Sequence, residues 1–173
     1  MINTIFHQLR LISLTWWIAI GIAAAILFAV HHKNKHQLLG NILLVYLAIV
    51  FASTVLSRTP VRHDALSDLV NFDLLGTWAS RFAGNDSGRA ELLLNFFMLM
   101  PVGFLLPLSF SKRFWETIFI GFLVTLAIES LQLTTGRGWF ELSDIVDNTI
   151  GVAIGYGCYS IGKALRRGFV HDK

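Results

Sequence analysis

The feature that most constrains this chain is a series of five long hydrophobic runs. They cover residues 11–30, 38–56, 92–110, 114–133 and about 142–162. Each run is close to the ~20 residues that a helix needs to cross ~30 Å of hydrocarbon. The fifth run is polar at its start and apolar after Thr149. These runs predict an all-α membrane protein, in which residues 1–173 form a single domain of about five transmembrane helices.

The composition agrees with a bilayer environment. The chain is 54% hydrophobic and only 14% charged, whereas soluble domains carry about 25% charged residues. The first run is also longer than the ~7–15 apolar residues of a cleaved signal peptide, and further runs follow it. The single cysteine, Cys158, excludes an intramolecular disulfide and a cysteine-based metal site. We therefore expect an integral membrane protein without cysteine-dependent chemistry.

The positions of lysine and arginine predict the orientation. Every lysine lies in one of three segments that a five-helix chain places on the same side: residues 31–37, 111–113 and 163–173. The other side carries Arg10, Arg137 and the stretch 57–90, where four arginines are mixed with aspartates. The positive-inside rule then favours an outside N-terminus and a cytoplasmic C-terminus. Basic flanks of this kind face anionic lipid, so the basic balance predicts no nucleic-acid partner.

Strongly polar side chains are few in the predicted helices, and apart from Asn41 and Glu116 they lie near one end. A charged side chain costs roughly 2.5–3.5 kcal/mol at the centre of a bilayer on insertion scales. These residues are Glu91 and Asn95 in the third helix, Glu129 and Gln132 in the fourth, and Asp144, Asp147 and Asn148 in the fifth. Arg58 follows the second helix, and Arg137 lies in the turn before the fifth. Their common depth predicts an acidic, arginine-containing site near the outer surface.

The residue types in this site suggest roles for its members. The carboxylates of Glu129, Asp144 and Asp147 are the candidate catalytic groups, because carboxylates can act as a general base or hold a divalent metal. Arg58 and Arg137 could grip a phosphate or carboxylate group of a substrate. The amides that could assist in binding are Asn95, Gln132 and Asn148. The sequence names no metal-ligand set and leaves the cofactors unknown.

Structural roles are open for the same residues. Asp144 could cap the fifth helix and favour its positive N-terminal end. Asn95 could bind a neighbouring helix, and Gly151 with Gly155 forms a small-xxx-small pair typical of close helix packing. Glu129 could form a structural ion pair with Arg137.

The stretch 66–82 mixes apolar and charged residues. Leu69, Phe72, Leu75 and Trp78 recur at intervals of three. This pattern predicts a short amphipathic helix that lies along the membrane interface and covers the polar site.

At these residues the chain resembles the VanZ-like family, which is named for a teicoplanin-resistance protein. The resemblance rests on residues 95–104 (NFFMLMPVGF), on residues 129–132 (ESLQ), on Arg137 and on residues 143–151 (SDIVDNTIG), with Arg58 also fitting the pattern. It implies a bacterial cell-membrane protein, linked in some members to reduced susceptibility to teicoplanin-type lipoglycopeptides. The resemblance supplies no established reaction.

Two functions from different classes therefore stay open. One is a non-enzymatic protein that binds a lipoglycopeptide or a lipid-linked cell-wall precursor in the outer leaflet. The alternative is an intramembrane hydrolase or transferase that acts on a lipid or lipid-linked substrate through Glu129, Asp144 and Asp147. The sequence does not predict the oligomeric state.

Overall fold

The structure is a computed structural model that describes residues 14–31, 34–60, 69–83 and 86–171. This part of the chain is almost entirely helical. Its helices are α1 (Leu14–His31), α2 (Lys35–Phe51), α3 (Leu74–Ala83), α4 (Asp86–Phe110), α5 (Phe114–Thr134) and α6 (Leu142–His171). A π-helical turn, Ala52–Leu56, extends α2, and two short strands are present, β1 (Val70–Asn71) and β2 (Phe140–Glu141). The predicted all-α class is confirmed.

Three helical segments in the described part are long and apolar enough to cross a membrane. They are Lys35–Leu56, Gly88–Phe110 and Phe114–Thr134. Within α1, Ile18–Phe28 is a shorter apolar segment. The expected count of five spans and the expected orientation stay predictions.

The helices differ from the predicted runs mainly at their ends. The first three residues of the run 11–30 lie outside the described residues. Helix α2 begins three residues before the run 38–56, because Asn34 caps it by accepting hydrogen bonds from the backbone N–H groups of His36 (3.1 Å) and Gln37 (3.3 Å). Helix α4 begins six residues before the predicted start at 92, and α6 ends nine residues after the predicted end at 162. Hydropathy marks the apolar part of a helix, whereas backbone hydrogen bonds continue through polar turns. The run 114–133 matches α5 to within one residue.

The bundle is organised around the contact between α4 and α6. A Cβ atom added to Gly151 would overlap the carbonyl oxygen of Phe96, and one added to Gly155 would overlap that of Met100. The two backbones can approach this closely only because glycine has no side chain. The predicted packing role of Gly151 and Gly155 is therefore confirmed.

The hydrophobic core lies between α2, α4, α5 and α6. Its buried members are Leu43, Val50, Val55, Leu99, Val102, Leu106, Ile128 and Val152. Helix α4 remains continuous through Pro101 and Pro107. The hydroxyl of Tyr46 donates a 2.5 Å hydrogen bond to the carbonyl of Met98, one turn before Pro101. This bond joins α2 to α4 next to the carbonyl of Phe97, which loses its backbone donor to Pro101.

The turn after α5 brings two distant segments together. Gly136 adopts a left-handed conformation (φ 62°), and the backbone N–H of Arg137 donates to the carbonyl of Gln132 at 2.9 Å. This is a Schellman helix end, for which glycine is favoured. Strand β2 follows the turn and pairs in parallel with β1, so that Val70 lies opposite Phe140.

The predicted helix over 66–82 is wrong at residues 70–73. Residues 66–68 lie outside the described residues, and residues 70–71 form β1. Only Leu74–Ala83 is helical, and Asp73 caps it by accepting a 2.9 Å hydrogen bond from the backbone N–H of Gly76. The pairing with β2 decided the conformation of residues 70–71, and a period of three within the segment does not reveal a partner some 70 residues away.

Candidate functional site

A buried arginine, Arg81 of α3, lies among four carboxylates at one end of the bundle. Its side chain is only 6% exposed. Its Nη2 atom lies 2.9 Å from Glu141 Oε2 and 2.9 Å from Asp144 Oδ1. Its Nη1 atom lies 3.2 Å from Asp147 Oδ2, and Glu91 Oε1 is 3.7 Å from Nη2. We call these four acids around Arg81 the acidic cluster.

The local sequence explains why three of the acids meet. Asp144 and Asp147 are three residues apart on α6 and therefore share one helix face. Glu141 immediately precedes α6 in β2. The N-terminal end of a helix carries a partial positive charge, which favours acids at these positions.

Donors from two other helices orient the two aspartates. The side-chain amide of Asn95 on α4 donates a 2.8 Å hydrogen bond to Asp144 Oδ1. The indole N–H of Trp78 on α3 donates to Asp147 Oδ1 at 3.0 Å. Asp144 is therefore bonded to α3 and α4, and Asp147 is bonded to α3. These bonds fix the orientation of both side chains.

The charges in the acidic cluster are unbalanced. Burial lowers the pKa of Arg81, but the attraction and hydrogen bond of Asp144, together with the attraction of Glu91 and Glu141, leave the pKa above its ordinary value. Burial also raises the pKa of Glu141, as does the negative charge of Asp144, although Arg81 opposes them. The guanidinium therefore stays charged, whereas burial and the neighbouring acid disfavour the charged form of Glu141.

Glu129 adjoins the acidic cluster through the backbone. It is 2% exposed on α5, and its Oε2 atom accepts a 3.0 Å hydrogen bond from the backbone N–H of Glu141. The proposed ion pair between Glu129 and Arg137 is absent from the described residues. The Nη1 atom of Arg137 instead donates to the carbonyls of Leu56 (3.0 Å) and Arg58 (3.1 Å).

Three other predicted binding residues lie beside the acidic cluster rather than in it. Gln132 donates from Nε2 to the carbonyl of Thr54 at 3.1 Å. Gln132 and Arg137 thus donate hydrogen bonds to backbone carbonyls of the π-helical turn that extends α2 and of the residues that follow it. Arg58 packs beside Gly138, where an added Cβ would lie 2.8 Å from its Nη1 atom. These three side chains thus close the end of the bundle.

Asn148 lies deeper in the bundle. Its Nδ2 atom donates a 3.1 Å hydrogen bond to Thr125 Oγ1 on α5, and its Oδ1 atom has no partner among the described residues. Both side chains are fully buried. Asn148 therefore joins α6 to α5.

The sequence reasoning missed Arg81 and Glu141 as members of the site, and it assigned Trp78 only an apolar role. One signal was present, because Arg81 follows Trp78 by three residues and therefore shares a face of the amphipathic helix with that apolar side chain. An arginine on the inward stripe of an amphipathic helix requires a buried acidic partner. Glu141 gives a weaker signal, as the acid directly before a polar helix start.

The arrangement can bind a cationic group more readily than an anionic one. The guanidinium of Arg81 is already engaged by carboxylates, whereas the acidic cluster retains an excess of negative charge. An ammonium group would form charge-assisted hydrogen bonds there. Within the described ranges, no three His, Cys, Asp or Glu side chains are placed to hold a metal ion.

Apolar helices of membrane-spanning length, with a buried ionic cluster at one end of the bundle, define a helical membrane protein. The VanZ/LLP1 family model matches residues 38–163, and the chain belongs to this family. The match extends from α2 into α6 and includes the whole acidic cluster. No curated protein and no solved structure matches the chain.

Proposed function

We propose that the chain is a multi-pass protein of the bacterial cell membrane that binds a lipid-linked cell-envelope molecule or a teicoplanin-type lipoglycopeptide. The observation that carries this proposal is the acidic cluster, in which four carboxylates share the buried guanidinium of Arg81. Asp147 is fully buried, Glu141 and Asp144 are partly buried and Glu91 is exposed. The excess negative charge of the cluster is therefore partly desolvated and accessible, which favours a ligand with a positive group. An amphiphile can place an amine in the cluster and keep its acyl chain in the surrounding lipid.

The position of the cluster supports binding from the outer leaflet. The described lysines, Lys35, Lys112 and Lys163, belong to the other end of the bundle, where α2 starts and α4 ends, and to the far part of α6. The positive-inside rule assigns that end to the cytoplasm. The acidic cluster then lies at the depth of the outer headgroups, where a lipid-anchored ligand presents its polar part.

Fixed hydrogen bonds favour binding over catalysis. Asp144 and Asp147 already accept bonds from Arg81 and from neighbouring amide and indole groups. A general base needs an oxygen directed at a substrate proton. Among the three catalytic candidates, Glu129 alone has no ion pair within 4.0 Å in the described part of the chain, so the enzyme alternative rests mainly on it.

Drug susceptibility tests this proposal. Expression in a susceptible Gram-positive host should raise tolerance to teicoplanin more than to vancomycin, because the acyl chain of teicoplanin places that drug in the leaflet. Asp144→Asn removes a charge from the acidic cluster but keeps an oxygen acceptor. This variant should abolish the difference between teicoplanin tolerance and vancomycin tolerance. Asp73→Asn is the matched control, because asparagine also caps helices well and position 73 lies outside the cluster.

Purified protein in lipid nanodiscs separates the two functions. Saturable binding of teicoplanin or of a lipid-linked cell-wall precursor, weakened by Asp144→Asn but not by Asp73→Asn, would support the proposal. Conversion of the precursor, with or without Mg²⁺, would replace it with the enzyme alternative. Equal binding by wild type and Asp144→Asn would refute a role for the acidic cluster.

A further inference from the structure

The side chains of α3 divide among three faces. Successive residues of an α-helix are rotated by about 100°, so residues four and seven apart share a face. The face toward the acidic cluster carries Trp78 and Arg81. A second face carries Leu75, Ala79 and Phe82, and we call it the apolar face.

The apolar face is not covered by the described part of the chain. Leu75 is 75% exposed and Phe82 is 61% exposed. Phe72, just before α3, is 68% exposed. Its ring packs edge-on against the ring of Phe140, with the two ring centroids 6.0 Å apart. Trp139, beside Phe140, is 51% exposed. These side chains form an aromatic and aliphatic surface of a kind that marks a binding surface.

The third face of α3 is polar. Asp73 and Ser80 are exposed, and Thr77 accepts a 3.1 Å hydrogen bond from the side-chain amide of Asn71. On a helical wheel this polar face lies on the far side of the helix axis from the apolar face. A helix that presents water-compatible groups on one side and large apolar groups on the other matches a membrane–water boundary.

The neighbours of α3 place it at such a boundary. Its last turn packs on the start of α4, where a Cβ added to Gly88 would lie 3.2 Å from the Cα of Arg81. The segment Gly88–Phe110 is one of the three that can cross a membrane, and it exposes Leu93 and Phe97. Helix α3 therefore adjoins the start of a segment that can cross a membrane.

We propose that α3, with Phe72 and Trp139, lies in the membrane interface and inserts its apolar face among the lipids of the leaflet next to the acidic cluster. The occupant of this face is the phospholipid bilayer. Lipid contact on one face of α3 then holds Trp78 and Arg81 in place on the other. This inference concerns the position of α3 and does not depend on what the acidic cluster binds.

Site-directed fluorescence tests the proposal. Leu75→Cys is made in a Cys158→Ser background, labelled with bimane and reconstituted in phosphatidylcholine–phosphatidylglycerol vesicles. Ser80→Cys, on the polar face of the same helix, is the matched control. The label at position 75 should be quenched several-fold more by nitroxide-bearing phospholipid, and several-fold less by aqueous iodide, than the label at position 80.

Phe82→Cys provides a second position on the apolar face and should behave like Leu75→Cys. Equal iodide quenching at positions 75 and 80 would overturn the proposal, because the apolar face would then contact water. Protection from iodide without quenching by the lipid nitroxide would also overturn it, since a protein surface would cover the face. All three labelled positions lie outside the acidic cluster, so the drug-susceptibility results can fail or succeed independently.

Discussion

Removal of the Arg81 guanidinium is the sharpest test of the ionic end of the bundle. Arg81→Met keeps an apolar stem of similar length but leaves Glu141, Asp144 and Asp147 without the cation that lies 2.9–3.2 Å from them. Breaking a buried ion pair by removing one partner costs about 3–5 kcal/mol, because an uncompensated charge remains. For a chain of this size that corresponds to a fall in melting temperature of roughly 6–20 °C.

The neutralising second change makes this prediction specific. Asp147 is fully buried, so Arg81→Met with Asp147→Asn should recover part of the lost stability. Replacing both members of a buried pair with neutral groups is often nearly neutral. Arg167→Ala removes an exposed arginine from α6 and should change stability by no more than about 0.5 kcal/mol.

Thermal unfolding in detergent, followed by tryptophan fluorescence, measures all four proteins. Trp78, one of five tryptophans in the chain, donates a hydrogen bond to Asp147 and contributes a signal from the acidic cluster. If the melting temperature of Arg81→Met falls no further than that of Arg167→Ala, then Arg81 does not compensate the buried carboxylates, and the prediction is refuted. If the double variant is less stable than Arg81→Met, then the carboxylates do not repel one another when the Arg81 guanidinium is absent.

Three further predictions concern packing, pH and topology. Gly155→Ala places a Cβ against an α4 carbonyl and should cost about 1–3 kcal/mol of unfolding free energy, whereas Gly157→Ala on the same helix meets no atom within 4 Å and should be neutral or stabilising. Because burial raises the pKa of Glu141, the folded protein binds more protons than the unfolded chain, and the contribution of Glu141 to stability falls as pH rises. The melting temperature of Glu141→Gln should therefore rise relative to that of wild type as the pH increases from about 4 to about 7. A difference between the two melting temperatures that does not change with pH would contradict this prediction. In a protein without its native cysteine, cysteine at Thr135 should react with an impermeant maleimide in intact cells and cysteine at Lys112 should not; reaction at both would refute the predicted topology.

The sequence was sufficient to predict the long apolar helices and the end of the bundle at which polar groups collect. A run of apolar residues specifies a membrane helix through burial of its own side chains and the hydrogen bonds of its own backbone. Antiparallel connection then places Asn95, Glu129 and Asp144 near the same end, whatever the rotation of each helix. Packing at Gly151 and Gly155 was also predictable, because small residues four apart permit close contact from one helix alone.

The choice of partners could not be derived in this way. An ion pair between Glu129 and Arg137 was one structural possibility, yet the guanidinium of Arg137 binds the backbone at the end of α2, 79 and 81 residues away. Arg81 and Asp144, which do form an ion pair, are 63 residues apart. A donor and an acceptor that lie at equal depth meet only if their helices are rotated toward each other.

The sequence by itself therefore predicted the long apolar helices and the end of the bundle at which the polar groups lie, since hydropathy acts on each segment separately. The tertiary structure alone decided that Arg81 is the cation of the acidic cluster. The parallel pairing of β1 with β2 brings the start of α3 beside the α5–α6 turn, and the contact with α4 sets its other end. Only these long-range contacts turn the face of α3 that carries Arg81 toward the carboxylates of α6.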